Sequence, residues 1–256
     1  MNDYEQILKD AQEDKNVIGF ILTGSRGKKF DNEHSDYDVI MVVKDQVAQT
    51  LHDKYESLPL KNIDLSVRSL TDFKKYADWE NTDSSWWDRY DYAHVKILVD
   101  KTNGELEKIV LEKGYIPEEK RKEFTDRWID GYVNGVFRSV KCVRNNNKLG
   151  ARLEAGNSIL DLLTAVFAMN GRHRPFLSYV EKELKIYPLE HLPWSSDEFI
   201  AKIQKVLETA DLKTQQELLV GIEKMGRDMG YDDVFDAWER KDKWAMEFDP
   251  DNPQRY

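Results

Sequence analysis

Every strand-like run in this chain falls within its first hundred residues. Residues 17–23 (VIGFILT) form a continuous apolar run, rich in β-branched side chains and ended by Gly24, and residues 37–43 (YDVIMVV) form a second. Runs of this kind make strands buried on both faces. Residues 62–68 alternate apolar and polar, the pattern of a half-buried strand, and residues 94–100 are a fourth run. Tyr4, Ile7, Leu8 and Ala11 stand at helical spacing, and a turn at 101–104 leads into a helix through about residue 113. Helices mixed with strands of this length predict a layered domain of the α/β or α+β class.

From about Pro117 the pattern changes. Proline followed by Glu118 and Glu119 is a good helix start, with acids near the positive end of the dipole. Phe124, Trp128, Tyr132, Val136 and Val140 then recur every four residues and draw one apolar face. Residues 151–169 predict a central, strongly apolar helix, and further helices are expected near 175–185, 196–209, 214–228 and 232–246. No strand-like run follows Asp100. The reading is two domains, 1–116 with the sheet and 117–256 all helical.

The net charge of −10 argues against a long nucleic acid as partner, because such binders carry a basic stripe that displaces counterions. It fits a cationic small substrate, although solubility explains it as well. One cysteine, Cys142, rules out an intramolecular disulfide and reads as an inert thiol. The polar start MNDYEQILKDAQED has no apolar leader, and no window reaches the roughly 18 apolar residues of a membrane span. A cytoplasmic protein with no membrane partner is expected.

The chemistry concentrates in Gly24-Ser25-Arg26-Gly27 and Ser35-Asp36-Tyr37-Asp38. Residues i and i+2 of a strand point to one side, so Asp36 and Asp38 converge. Two such carboxylates repel unless a cation lies between them, and Mg²⁺ suits carboxylates shared with phosphate oxygens. A Gly-Ser turn lets backbone N–H groups approach an anion. Asp64, between Ile63 and Leu65, sits in an apolar context where a charge is costly unless paired or metal-bound. If its strand lies beside that of Asp38, three carboxylates meet, enough for two metal ions about 3.5–4 Å apart. Alone, an Asp-x-Asp pair is more often a solvated strand start or a helix cap.

The order Gly24-Ser25, Asp36-Tyr37-Asp38, Ile63-Asp64-Leu65 resembles the signature of the polymerase-β-type nucleotidyltransferase superfamily. Within it the small-molecule branch, with the aminoglycoside and lincosamide nucleotidyltransferases, is most similar, and residues 151–171 with Pro175 look like its helical region. The resemblance is specific over 17–68 and looser over 92–175. It implies an α+β fold: a nucleotidyltransferase-type mixed β-sheet domain with flanking helices, then an all-helical C-terminal domain. It further implies that Asp36 and Asp38 hold Mg²⁺ against an NTP, that Asp64 assists the acceptor hydroxyl, and that Gly24 and Ser25 bind the β- and γ-phosphates. The implied reaction places an NMP, AMP from ATP first, on a hydroxyl of a small molecule, with an aminoglycoside- or lincosamide-like antibiotic as the first candidate, and releases pyrophosphate. The alternatives are an inactive nucleotide-binding regulatory or antitoxin-like protein of the same fold, or a nucleotidyltransferase acting on protein or RNA.

Other residues carry two readings each. Arg26, Lys28 and Lys29 reach triphosphate oxygens or keep an exposed loop soluble. Lys141, with Ser139 and Arg144 nearby, binds triphosphate by resemblance or is an ordinary cationic last turn. Glu154, Asn157, Ser158, Asp161 and Thr164 make a polar stripe, in which Glu154 or Asp161 contacts the acceptor or acts as base, unless the stripe is a solvated face. Asp126 and Asp130 are rival acids. Trp86 and Trp87 stack a ring or pack against the helical half, His34 reads as a loop residue, and Trp238, Trp244 and Phe248 are core or homodimer contacts.

Overall fold

The computed structural model describes residues 2–79 and 86–252, with only the backbone of 86 and 87. The chain divides into two compact units, Met1–Tyr115 and Ile116–Tyr256.

In chain order the first unit is α1 (Asp3–Glu13), β1 (Val17–Leu22), α2 (Gly24–Gly27), β2 (Tyr37–Val43), α3 (Ala48–Glu56), β3 (Ile63–Ser69), α4 (Leu70–Lys75), α5 (Trp86–Tyr90), β4 (Lys96–Asp100) and α6 (Glu105–Gly114). α1 opens with a capping box in which Asn2 and Glu5 satisfy each other's backbone N–H. The four strands form one mixed sheet in the order β3-β2-β1-β4: β1 runs antiparallel to β2 and β4, while β2 and β3 are parallel. A parallel pair needs a crossover, and α3 supplies it. Strand alternation sorts the apolar residues. Phe20, Leu22, Val39, Met41 and Val43 pack on one face with Ile7, Ala11 and Tyr55 from α1 and α3. Ile21, Ile40 and Val42 pack on the other with Phe73, Leu106 and Val110 from α4 and α6. Sequence periodicity does not mark α3, α4 or α5, and the turn expected at Gly24-Ser25 is the short helix α2.

The second unit comprises α7 (Glu118–Arg144), α8 (Lys148–Met169), α9 (Val180–Ile186), α10 (Ser196–Thr209), α11 (Leu212–Asp228), α12 (Asp232–Asp236) and α13 (Glu239–Glu247). At 27 residues α7 is about 40 Å long. It pairs antiparallel with α8 through small residues: a Cβ at Gly135 would lie 2.7 Å from Ser158 Cβ. Further along, Ser139 donates to the Ala151 carbonyl at 3.0 Å. The later helices bury Phe199, Leu219, Phe235 and Trp244 around this pair in one core. The helix expected over 232–246 is two, broken at Ala237 and Trp238, where the Trp238 indole donates to Asp130 at 2.7 Å. Among the described residues no helix is long and apolar enough to cross a membrane.

Candidate active site

The parallel register of β2 and β3 aligns Asp38 with Asp64, then Ile40 with Ser66 and Val42 with Arg68. Aligned residues of adjacent strands share a face, so the two carboxylates lie side by side. They stand on the face that Ile40 and Val42 share with α4 and α6. β3 is the edge strand, and its residues on this face are polar: Asp64, Ser66, Arg68. Asp64 is exposed and second in its strand, not enclosed by the apolar context its neighbours implied. Ile63 and Leu65 point to the opposite face, against α1 and α3.

Asp36 lies just before β2 and is exposed. Burial raises the Asp38 carboxyl above its ordinary range, the charges of Asp36 and Asp64 raise it further, and Lys28 pulls it back. Both flanking acids therefore act on Asp38. Among the described residues only His52, Asp53 and Glu56 bring three ligand atoms within 4.8 Å of one another, so the aspartates stand wider than that.

Gly24 closes the other side. Its φ is +54°, and a Cβ built on it would lie 1.7 Å from Asp38 Oδ2. The Asp38 carboxylate fills the space a side chain at 24 would need. Thr23 fixes the Asp38 backbone, donating N–H and hydroxyl to its carbonyl at 2.8 and 3.2 Å. Ser25 is buried at the start of α2.

Arg26 and Lys28 have other employment than the open loop or the phosphates expected of them. Arg26 donates to the Asp36 carbonyl at 2.9 Å and the Ser35 carbonyl at 2.6 Å, and its guanidinium lies 4.2 Å above the Tyr37 ring. Tyr37 stacks in turn on Tyr4, with centroids 4.0 Å apart. Arg26 thus holds the segment that presents Asp36. Lys28 is fully buried and donates to the carbonyls of Asp91 at 3.0 Å and Ala93 at 2.6 Å. An ammonium so enclosed is a structural clamp and an electrostatic counterweight to Asp38. Lys29 remains exposed.

The sequence reading missed Asp91. Burial pushes its carboxyl up to about 6; Lys28 and Arg68 lower it, while Asp88 and Asp38 raise it, so it shares the field of Asp38. Neither strand periodicity nor motif spacing marks it, since it lies in a turn after α5.

In the helical unit Glu154 is held by Arg138, whose Nε and one terminal nitrogen both lie 2.9 Å from Oε1. Asp161 accepts no hydrogen bond among the described residues, and a Cβ at Gly131 would lie 2.9 Å from its Oδ2. Burial raises its carboxyl and Arg174 moderates the effect. The stripe is not a continuous solvated face, because Ser158 and Thr164 are buried and donate to carbonyls of their own helix. Asp126 takes the Lys122 ammonium at 2.9 Å. The Lys141 ammonium lies 5.4 Å from the Phe137 ring centre, Ser139 is buried, and Arg144 lies over Trp244. His34 is in an exposed loop, and the side chains of Trp86 and Trp87 lie outside the described residues.

No family model and no curated protein matches the chain. Among solved structures, the crystal structure of a nucleotidyltransferase-like protein from Exiguobacterium sibiricum 255-15 is similar over 93% of this chain and 90% of that one, at 11% identity and a TM-score of 0.38.

Proposed function

We propose that the chain is a divalent-metal-dependent nucleotidyltransferase that moves an NMP, AMP from ATP in the first instance, onto a hydroxyl of a small molecule. The observation that carries this is the alignment of Asp38 with Asp64 on parallel strands, with Asp36 acting on the same carboxylate and Gly24 packed against it. Oxygen donors of this kind fit a hard cation such as Mg²⁺, and a carboxylate whose ionisation is opposed by its neighbours gains from one. Asp36, Asp38 and Asp64 would hold the ion, which when bound draws charge from the triphosphate oxygens.

The chain's own residues supply position. Thr23 and Gly24 fix Asp38, Arg26 fixes the segment carrying Asp36, and buried Lys28 offsets part of the negative charge. Asp64, exposed on the edge strand, is free to take the proton of the acceptor hydroxyl. The hydroxyl oxygen bonds to the α-phosphorus, the α–β phosphoanhydride bond breaks, and pyrophosphate leaves.

Pyrophosphate release from ATP over a panel of hydroxyl-bearing amines and sugars tests the reading. Asp38→Asn and Asp64→Asn should each abolish turnover while the circular dichroism spectrum is kept. Full activity in either variant sinks the assignment. ATP binding without release over the whole panel supports instead a nucleotide-binding regulatory protein.

A further inference from the structure

On the face that carries Asp38 and Asp64, β3 continues with Ser66 and Arg68. Strand alternation sends Arg68 to the same side as the two aspartates, and its Nε, donating to Ser66 Oγ at 3.2 Å, turns the side chain back toward them. The guanidinium lies 3.9 Å from the centre of the Tyr76 ring. Fixed by a ring and a hydroxyl, it is already ordered, so little rotamer entropy is lost when a ligand arrives. Its terminal nitrogens donate to nothing among the described residues. They form the planar fork that matches a carboxylate.

An opposite charge stands nearby without closing on it. Asp91 follows α5, and the Lys28 ammonium pins its main-chain carbonyl at 3.0 Å. Its half-buried side chain accepts no hydrogen bond and makes no ion pair among the described residues, although the charges of Arg68 and Asp38 both act on it. The Tyr76 stack holds one partner and the Lys28 clamp the other. Tyr92 stands in the same field: it is 1% exposed, its hydroxyl has no hydrogen-bond partner, and Arg68 and Asp91 both act on it. A buried hydroxyl left in this state is costly, and a ligand oxygen would satisfy it. Asp88, the other acid here, is taken by the Tyr76 hydroxyl at 2.6 Å. A lone amine would satisfy only Asp91, and a lone carboxylate only Arg68 and Tyr92. A zwitterion satisfies all three.

We propose that the hydroxyl acceptor is a zwitterion, a free hydroxy-amino acid of the serine or threonine kind, whose carboxylate takes the Arg68 fork and the Tyr92 hydroxyl and whose ammonium takes Asp91. This rests on the transferase reading above and names its acceptor. The side-chain oxygen bonds to the α-phosphorus, its proton passes to Asp64, and pyrophosphate leaves. The test compares pyrophosphate release from ATP for four acceptors: threonine, N-acetylthreonine without the ammonium, threoninol without the carboxylate, and a threonyl residue inside a peptide without either. kcat/KM should be at least tenfold higher for threonine than for the other three. Arg68→Gln should lower the threonine-to-threoninol ratio at least tenfold, and Asp91→Asn should do the same to the threonine-to-N-acetylthreonine ratio. Ratios separate recognition from folding, since a merely structural change lowers every acceptor by one factor. Threonine binding, followed by ligand-observed NMR without ATP, reads the site apart from turnover and should be lost in both variants. Equal rates for the four acceptors, uniform losses in the variants, or no threonine binding overturn the proposal. Turnover of another acceptor with no threonine binding keeps the transferase and removes this acceptor. Threonine binding that both variants abolish, with no pyrophosphate released from any acceptor, keeps the zwitterion site and removes the transferase.

Discussion

Gly24 and Asp38 are packed so closely that one added carbon at position 24 would sit 1.7 Å from Asp38 Oδ2. The contact ties the turn after β1 to the first carboxylate of β2. Gly24→Ala should therefore do two things. Its φ of +54° imposes a strain of about 1–2 kcal/mol on any side chain. The displaced carboxylate should cost turnover on the order of 100-fold, as expected for reacting groups shifted by about 1 Å. Gly104→Ala is the control: Gly104 also has positive φ, but nothing lies within 4 Å of a Cβ there. It should lose stability and keep its rate. Equal rate losses in the two variants would detach the Gly24 contact from the chemistry.

Lys28 is the second support of this corner, and its substitution separates structure from phosphate binding. Lys28→Met keeps the volume but leaves the carbonyls of Asp91 and Ala93 without their donor. Two buried acceptors lost in this way should lower stability by about 2–4 kcal/mol in urea titrations. Lys29→Met, next door and exposed, should stay within about 0.5 kcal/mol of the parent. A Lys28→Met variant as stable as the parent but weak for ATP would return Lys28 to the phosphate role that its place after Gly27 first implied.

Much of this arrangement was legible in local pattern, and the rest depends on pairing. The run 37–43 and the alternation at 62–68 locate β2 and β3 within a residue of their bounds, because side-chain period is a local property. Nothing local says that β3 pairs with β2 in the register that aligns Asp64 with Asp38, or that β3 is an edge with Asp64 exposed. Burial of a lysine is invisible for the same reason: Lys28 finds its acceptors more than sixty residues away. Asp91 owes its environment to those long-range neighbours, while α3 covers its face with few apolar residues and draws little periodic signal.

The Asp91 carboxyl gives a pH dependence with a definite sign. Its folded value of about 6 exceeds the ordinary 3.8, so between these pH values the folded chain keeps a proton that the unfolded chain has released. Stability supplied by that proton is present at low pH and is lost as pH rises through about 6. Asp91→Asn removes the ionisation. In metal-free buffer the variant should match the parent near the acid end of the window and exceed it above, by about 1–2 kcal/mol after solvent screening. Denaturant midpoints at several pH values check this. A variant less stable than the parent at neutral pH would mean that the Asp91 charge is needed to balance Lys28 and Arg68.

Two carboxylate groups compete as the divalent-ion site, and electrostatics distinguishes them. His52, Asp53 and Glu56 bring their ligand atoms within 4.8 Å of one another on α3, but all three are exposed. Water reaches each of them, so an ion there relieves little repulsion. Asp38 is different: burial and two neighbouring acids oppose its ionisation, and a cation removes that opposition. The ion should therefore bind where the chain alone is least content with its charge, even though those oxygens stand wider apart. Mn²⁺ titrated calorimetrically should lose at least tenfold in affinity in Asp64→Asn and remain unchanged in His52→Ala with Glu56→Gln. Affinity should also fall with acidification, because protonating Asp38, whose carboxyl is already raised, competes with the ion. The opposite ranking of the two variants would move the metal to α3 and leave the aligned aspartates without a catalytic role.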